Sequence, residues 1–153
     1  MFRYISKAEI FSALDANIHG ELKWAPSSAH LKTWQDIAVY QIIKDSTGLD
    51  IAEIGGGDSR LLHRLKLNNR CCNVDRFEGQ HGGPGEEIMI EGVRNVRAFV
   101  GENSPDLPDD SLDLMYSVSV VEHVPAEAAA SFLDDSVRML KPDGRAYHAI
   151  DLY

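Results

Sequence analysis

The stretch IAEIGGGDSR, Ile51 to Arg60, decides the fold. Three apolar residues surround one carboxylate, Glu53, and Gly55, Gly56 and Gly57 follow at once. A short apolar run bounded by glycines has the pattern of a buried strand. Glycine inside regular structure costs about 0.5–1 kcal/mol per residue relative to alanine. Three in succession therefore mark a sharp turn, or a place where a ligand must approach the backbone. Asp58 or Ser59 can then cap a helix, and Leu61, Leu62 and Leu65 recur at helical spacing over Ser59–Leu67.

The same alternation continues on the carboxyl side. Cys71–Val74, Val96–Val100, Leu112–Ser117 and Arg145–Asp151 read as four more strands. A helix opens at Pro125 and continues through Leu140 to a Pro142-Asp143-Gly144 turn. Glu86–Gly92 reads as an irregular or short helical crossover. Upstream, Ser6-Lys7-Ala8-Glu9 fits a capping box for a helix to about Ala16. Asn17 to Ser28 is loop-like, and from Ser28 the residues Leu31, Trp34, Ile37, Ala38 and Ile42 keep helical spacing up to Gly48. Short strands alternating with helices predict an α/β fold, a doubly wound, Rossmann-like parallel sheet of five strands. Residues 1–48 form a helical cap and residues 49–153 the sheet, within one domain.

The 153 residues suffice for one domain with a real core. Hydrophobic residues make up 44% and charged residues 25%, the balance of a globular chain. A net charge of −9 argues against a nucleic-acid surface. No apolar run approaches the roughly 18 residues of a membrane span, and MFRYISKAEIF lacks the unbroken apolar core of a signal peptide. Cys71 and Cys72 are adjacent, which is awkward for a mutual bridge and too few for zinc. These features predict a cytoplasmic protein with no metal, no nucleic-acid partner and no membrane partner.

In doubly wound sheets, ligands bind beyond the carboxyl ends of the strands, where strand order reverses. The glycine loop falls there. Asp75 follows at the end of the second strand, at the separation from which a carboxylate reaches ribose hydroxyls. The dinucleotide fingerprint needs a glycine where Arg60 stands, and Glu53 would repel a pyrophosphate. A nicotinamide-dependent oxidoreductase is therefore the weaker reading. A carboxylate before the glycines suits a ligand with an ammonium group, which points to S-adenosylmethionine.

AEIGGGDSR resembles motif I of the class I S-adenosylmethionine-dependent methyltransferases, an acidic residue before a G-x-G loop. NVDRFEG resembles their acidic second-strand end, and VGENSPDLPDDSLDLMYSVSVVEHV their third- and fourth-strand segment. RMLKPDGRAYHAIDL is similar to their last helix, turn and fifth strand. The likeness runs from about Ile51 to Leu152, with two departures: Asp58 directly follows the three glycines, and the turn is Pro-Asp-Gly.

The resemblance implies a cofactor loop of Gly55, Gly56 and Gly57, with Glu53 holding the methionine amino group through water. Asp75 would take the ribose hydroxyls and Arg76 would flank the adenine, whose edge Glu102 and Asn103 would meet. Ser117 and Val118 would form the floor beneath the sulfonium. The family's sheet has seven strands in the order 3-2-1-4-5-7-6. Here five are expected, in the order 3-2-1-4-5, with no residues for the last two. The fifth would be an uncovered edge, so the chain is either a piece of a longer enzyme or a homodimer paired through that edge.

Methyl transfer is an in-line displacement in which positioning supplies much of the acceleration. A base is needed only where the acceptor must lose a proton. His123 is a candidate base or a loop-orienting residue, and Glu122 either caps the next helix or stands beside the pocket. Alternation on the fifth strand puts His148, Ile150 and Leu152 on one face and Tyr147, Ala149 and Asp151 on the other. Asp151, at the carboxyl end, is a candidate substrate contact. His81, within HGGPG, reads as structural or exposed, and Trp24 and Trp34 as core or as cover for the acceptor. The expected activity is methyl transfer to a small-molecule or glycan-type acceptor. The alternative within the same fold is a module that binds without turnover.

Overall fold

Two chain-local signals set the first helix, α1 (Lys7–Asp15). The Ser6 side chain accepts from the Glu9 backbone N–H and the Glu9 carboxylate accepts from the Ser6 N–H, a complete capping box. The computed structural model describes residues 2–24, 31–80 and 83–151. Beyond α1 come α2 (Ile18–Glu21), α3 (Leu31–Ile43), β1 (Asp50–Ile54), α4 (Arg60–Leu65), β2 (Arg70–Val74) and β3 (Val93–Val96). After these lie β4 (Leu112–Val118), 3-10 turns at Val121–His123 and Ala126–Ala128, α5 (Ala129–Met139) and β5 (Leu140–Ala149). The expected helix start at Ser28, His81 and the face assigned to Leu152 lie outside the described residues.

The sheet order is β3-β2-β1-β4-β5, all parallel, as the sequence predicts. Several boundaries differ: the last strand ends at Ala149, which leaves Asp151 beyond it, and the helix read from Pro125 begins as a 3-10 turn, with α5 opening at Ala129. The third strand is Val93–Val96 rather than Val96–Val100, because β2, its neighbour in the sheet, ends at Val74, the partner of Val96. The Pro142-Asp143-Gly144 segment does not precede the last strand but is looped out of register within it. Leu112 pairs with Leu140 and Leu114 with Arg145. One turn of helix, α2, interrupts the expected loop after Asn17. Residues 86–90 are irregular, as expected.

Period-2 alternation divides the core. Ile51, Cys71, Leu114 and Tyr116 pack towards α1, α3 and α4 through Ala13, Ile37, Leu61 and Leu62. Ala52, Cys72 and Met115 pack on the other face with Phe132 and Met139 of α5. Full burial of each such aliphatic side chain stabilises by about 1.5–3 kcal/mol. Burial pushes the Cys71 thiol up to about 12, so this pair is inert core filling. Among the described residues, no helix is long and apolar enough to cross a membrane, and no His, Cys, Asp and Glu cluster suits a metal ion.

Candidate functional site

At the carboxyl end of β1 the backbone turns with Gly55 at φ 66° and Gly57 at φ 52°, values that favour glycine. A Cβ on Gly55 would lie 2.6 Å from Val120 Cγ2, and one on Gly56 would lie 2.5 Å from Asn73 Oδ1. The loop must therefore be bare of side chains. Ser59, rather than Asp58, caps α4: its hydroxyl accepts from the Leu62 N–H at 3.1 Å. Asp75 ties the loop to the end of β2. Its Oδ2 accepts from the Gly57 N–H at 3.0 Å and its Oδ1 from the Phe77 N–H at 2.7 Å. Each carboxylate oxygen keeps a further lone pair.

Beneath the loop lies a polar row that the register creates. Glu53 pairs with Asn73 on one side and Tyr116 on the other, and all three are buried. The Tyr116 hydroxyl donates to Glu53 Oε2 at 2.7 Å, and Asn73 Nδ2 donates to the Gly57 carbonyl at 2.9 Å. Among the described residues, Asn73 Oδ1 has no hydrogen-bond partner. Burial pushes the Glu53 carboxyl up to about 8, against the Ser59 and Tyr116 hydroxyls, which favour its charged form. Asp36 adds to the rise and Lys32 opposes it.

Above the loop a cleft of about 1040 Å³ opens across the carboxyl ends of the strands. On its β2–β3 side, the Arg76 guanidinium lies 5.4 Å from the Phe99 ring centroid. It also pairs with Glu78 at 3.6 Å and Glu102 at 3.7 Å. On the β4–β5 side, Asp151 Oδ1 accepts from Gln35 Nε2 at 2.6 Å, and Gln35 Oε1 accepts from the Ser119 hydroxyl at 2.7 Å. The Asp151 N–H donates to Glu122 Oε1 at 3.2 Å. One buried amide of α3 thus ties the ends of β4 and β5 together.

The cleft gathers Gly55, Gly56, Gly57, Asp75, Arg76, Glu102, Val118, His123 and Asp151 in its lining. Three expected residues lie elsewhere. Glu53 is under the loop. Alternation turns Ser117 to the opposite face, where its hydroxyl meets His148 Nδ1 at 2.8 Å. Asn103 is exposed, with φ 49°, and is not part of the lining. Burial lowers the His148 pKa, which favours its neutral form. Trp24 and Trp34 both pack against the core. Arg60, which counted against a dinucleotide, stacks on the Trp24 ring at 3.5 Å. Sequence reading missed Lys32, Gln35, Asn73 and Tyr116; the alternation that placed Glu53 was the signal available for the last two.

Residues 49–148 match the model of the methyltransferase domain. This chain belongs to the class I S-adenosylmethionine-dependent methyltransferase family. That membership displaces the nicotinamide reading. No curated protein sequence matches the chain. Among solved structures it is similar to the Burkholderia thailandensis 1,6-didemethyltoxoflavin-N1-methyltransferase with bound 1,6-didemethyltoxoflavin and S-adenosylhomocysteine. That likeness has 16% identity and TM-score 0.55, over 95% of this chain and 64% of that one. A SAM-dependent methyltransferase from Archaeoglobus fulgidus matches at 17% identity and TM-score 0.55, over 86% of this chain and 56% of the other. Haemonchus contortus phosphoethanolamine N-methyltransferase 1, in complex with phosphoethanolamine and S-adenosylhomocysteine, matches at 12% identity and TM-score 0.56. It is covered over 32% of its length, against 93% of this chain. The chain thus spans from about a third to about two thirds of these structures.

Proposed function

We propose that the cleft binds S-adenosylmethionine and that the chain directs its methyl group to a small-molecule or glycan-type acceptor. The observation that carries this is the bare glycine loop held by Asp75 at the end of the neighbouring strand. When bound, the cofactor supplies a methyl carbon already activated by its sulfonium. Asp75 offers its remaining lone pairs to the ribose hydroxyls. Gly55, Gly56 and Gly57 let the methionine chain pass, and an ammonium bound above the loop would favour the charged form of Glu53 below. Arg76 and Glu102 bound the adenine, and Val118 with Ser117 behind it forms the floor.

His123 and Asp151 line the cleft and are the proposed acceptor contacts. Asp151 is held by Gln35, so it can orient a donor group on the acceptor. His123 can take a proton where the acceptor is a hydroxyl. The bulk of the acceleration comes from alignment, because an in-line displacement rewards a fixed approach. Support for a small acceptor comes from the Burkholderia and Haemonchus proteins, whose structures hold 1,6-didemethyltoxoflavin and phosphoethanolamine.

Calorimetry with S-adenosylhomocysteine tests this reading. The wild-type chain binds it and does not bind NAD, and Asp75→Ala weakens binding at least tenfold, about 1.4 kcal/mol. Undiminished affinity in Asp75→Ala would remove the ribose assignment. No binding by the wild type would remove the function.

A further inference from the structure

The second residue of α3, Lys32, lines the cleft beside the glycine loop. Its helix is firmly placed. Gln35 and Asp36, one turn on, are each 4% exposed, and Gln35 is bonded to both Ser119 and Asp151. Residues three and four apart share a helix face, so Lys32 stands on the face of α3 that meets the carboxyl ends of the strands. Its charge is felt by Glu53 under the loop.

The lining is otherwise acidic: Asp58, Asp75, Glu78, Glu102 and Asp151 all contribute to it. Among the described residues, Lys32 and Arg76 are its only lysine and arginine. Arg76 is engaged by Glu78 and Glu102 on the adenine side, whereas no ion pair involves Lys32 among those residues. A ligand with an α-amino-acid end brings one ammonium and one carboxylate. The ammonium has acidic neighbours throughout this cleft. Among the described residues the carboxylate has one uncommitted cation, at the loop over which the amino-acid end must lie.

We propose that Lys32 receives the α-carboxylate of the methionine moiety, so that the N-terminal helix itself closes one wall of the cofactor site. This rests on the cleft being an S-adenosylmethionine site. Lys32 is exposed, and its substitution leaves the Gln35 contacts intact.

The test compares S-adenosylhomocysteine with its decarboxylated analogue, which keeps the amine, by calorimetry on wild type, Lys32→Gln and Lys32→Arg. Lys32→Gln should bind S-adenosylhomocysteine about tenfold more weakly and the decarboxylated analogue within twofold of wild type. Lys32→Arg should recover most of the loss. Equal losses on both ligands, or none on either, would overturn the assignment while leaving the cofactor site standing. Failure of the wild type to bind S-adenosylhomocysteine would remove both.

Discussion

Strand β1 carries a carboxylate near each end, and the two are pushed in opposite directions. At the amino end, Asp50 accepts from Arg70 Nε at 2.6 Å and Nη2 at 2.9 Å, and from Lys141 Nζ at 3.0 Å. The Arg70 hydrogen bonds, first among the causes, hold it down to about 2. Three residues later, burial pushes Glu53 up to about 8. One acid sits among cations in solvent. The other is sealed beneath bare backbone, next to an amide oxygen with no partner among the described residues. The amino end is electrostatically closed, and the carboxyl end is left with charge and hydrogen bonds that a ligand can complete. That asymmetry marks the working end of this parallel sheet.

Two glycines sharpen the contrast and carry the largest expected effect. Gly48 precedes β1 with φ 71° and nothing within 4 Å of where a Cβ would stand. Gly55 follows β1 with φ 66° and Val120 Cγ2 at 2.6 Å. Gly48→Ala should cost only the left-handed conformation, about 1–2 kcal/mol. Gly55→Ala adds overpacking of about 1–3 kcal/mol, and it should also abolish measurable S-adenosylhomocysteine binding. Urea unfolding and calorimetry read both. Equal stability costs with unchanged affinity in both variants would break the comparison.

Titration separates the two acids next. Between its ordinary 4.5 and its folded value of about 8, Glu53 keeps its proton in the native state and loses it when unfolded. Stability therefore falls as pH rises from about 5 to 8. Asp50 runs the other way: from its ordinary 3.8 down to about 2, the unfolded chain holds the extra proton, so stability is lost as pH falls through that window. Urea melts from pH 2.5 to 8.5 should show Glu53→Gln flattening the upper decline and leaving the lower one. A Glu53→Gln protein with the wild-type decline at high pH would mean that Glu53 is already ionised in the native state.

The legible parts of the molecule are those with local causes. The apolar run into three glycines, the Ser59 cap, the Ser6–Glu9 box and Asp75 at a strand end each follow from neighbours in sequence. The strand order and the family likewise follow from motif order. What escaped has a non-local cause. Val96–Val100 looks as strand-like as Val93–Val96, and only the length of β2 chooses between them. Pro142 and Gly144 look like a turn between elements, yet Leu140 already pairs with Leu112 before them. Lys32 and Gln35 lie more than 80 residues before Ser119 and Asp151, and only docking of α3 brings them to the cleft. Ser117 shares a motif with Val118, but strand alternation sends the two to opposite faces.

The smallest expected effect is at the closed end. Asp50→Asn removes partners from Arg70, whose side chain is 66% exposed, and from Lys141, which keeps Asp113 at 2.8 Å. Water can solvate Arg70, and Lys141 remains paired, so neither cation is stranded in a dry interior. The loss of stability should stay within about 0–1 kcal/mol, the range of exposed ion pairs. It should shrink further in 1 M salt, where screening acts over about 3 Å. Affinity for S-adenosylhomocysteine should stay within twofold of wild type, because β1 separates Asp50 from the loop. A large salt-insensitive loss would mean that the amino-end cluster is a buried structural element. A tenfold loss of affinity would mean that the two ends of β1 are coupled, and that the closed end tunes the open one.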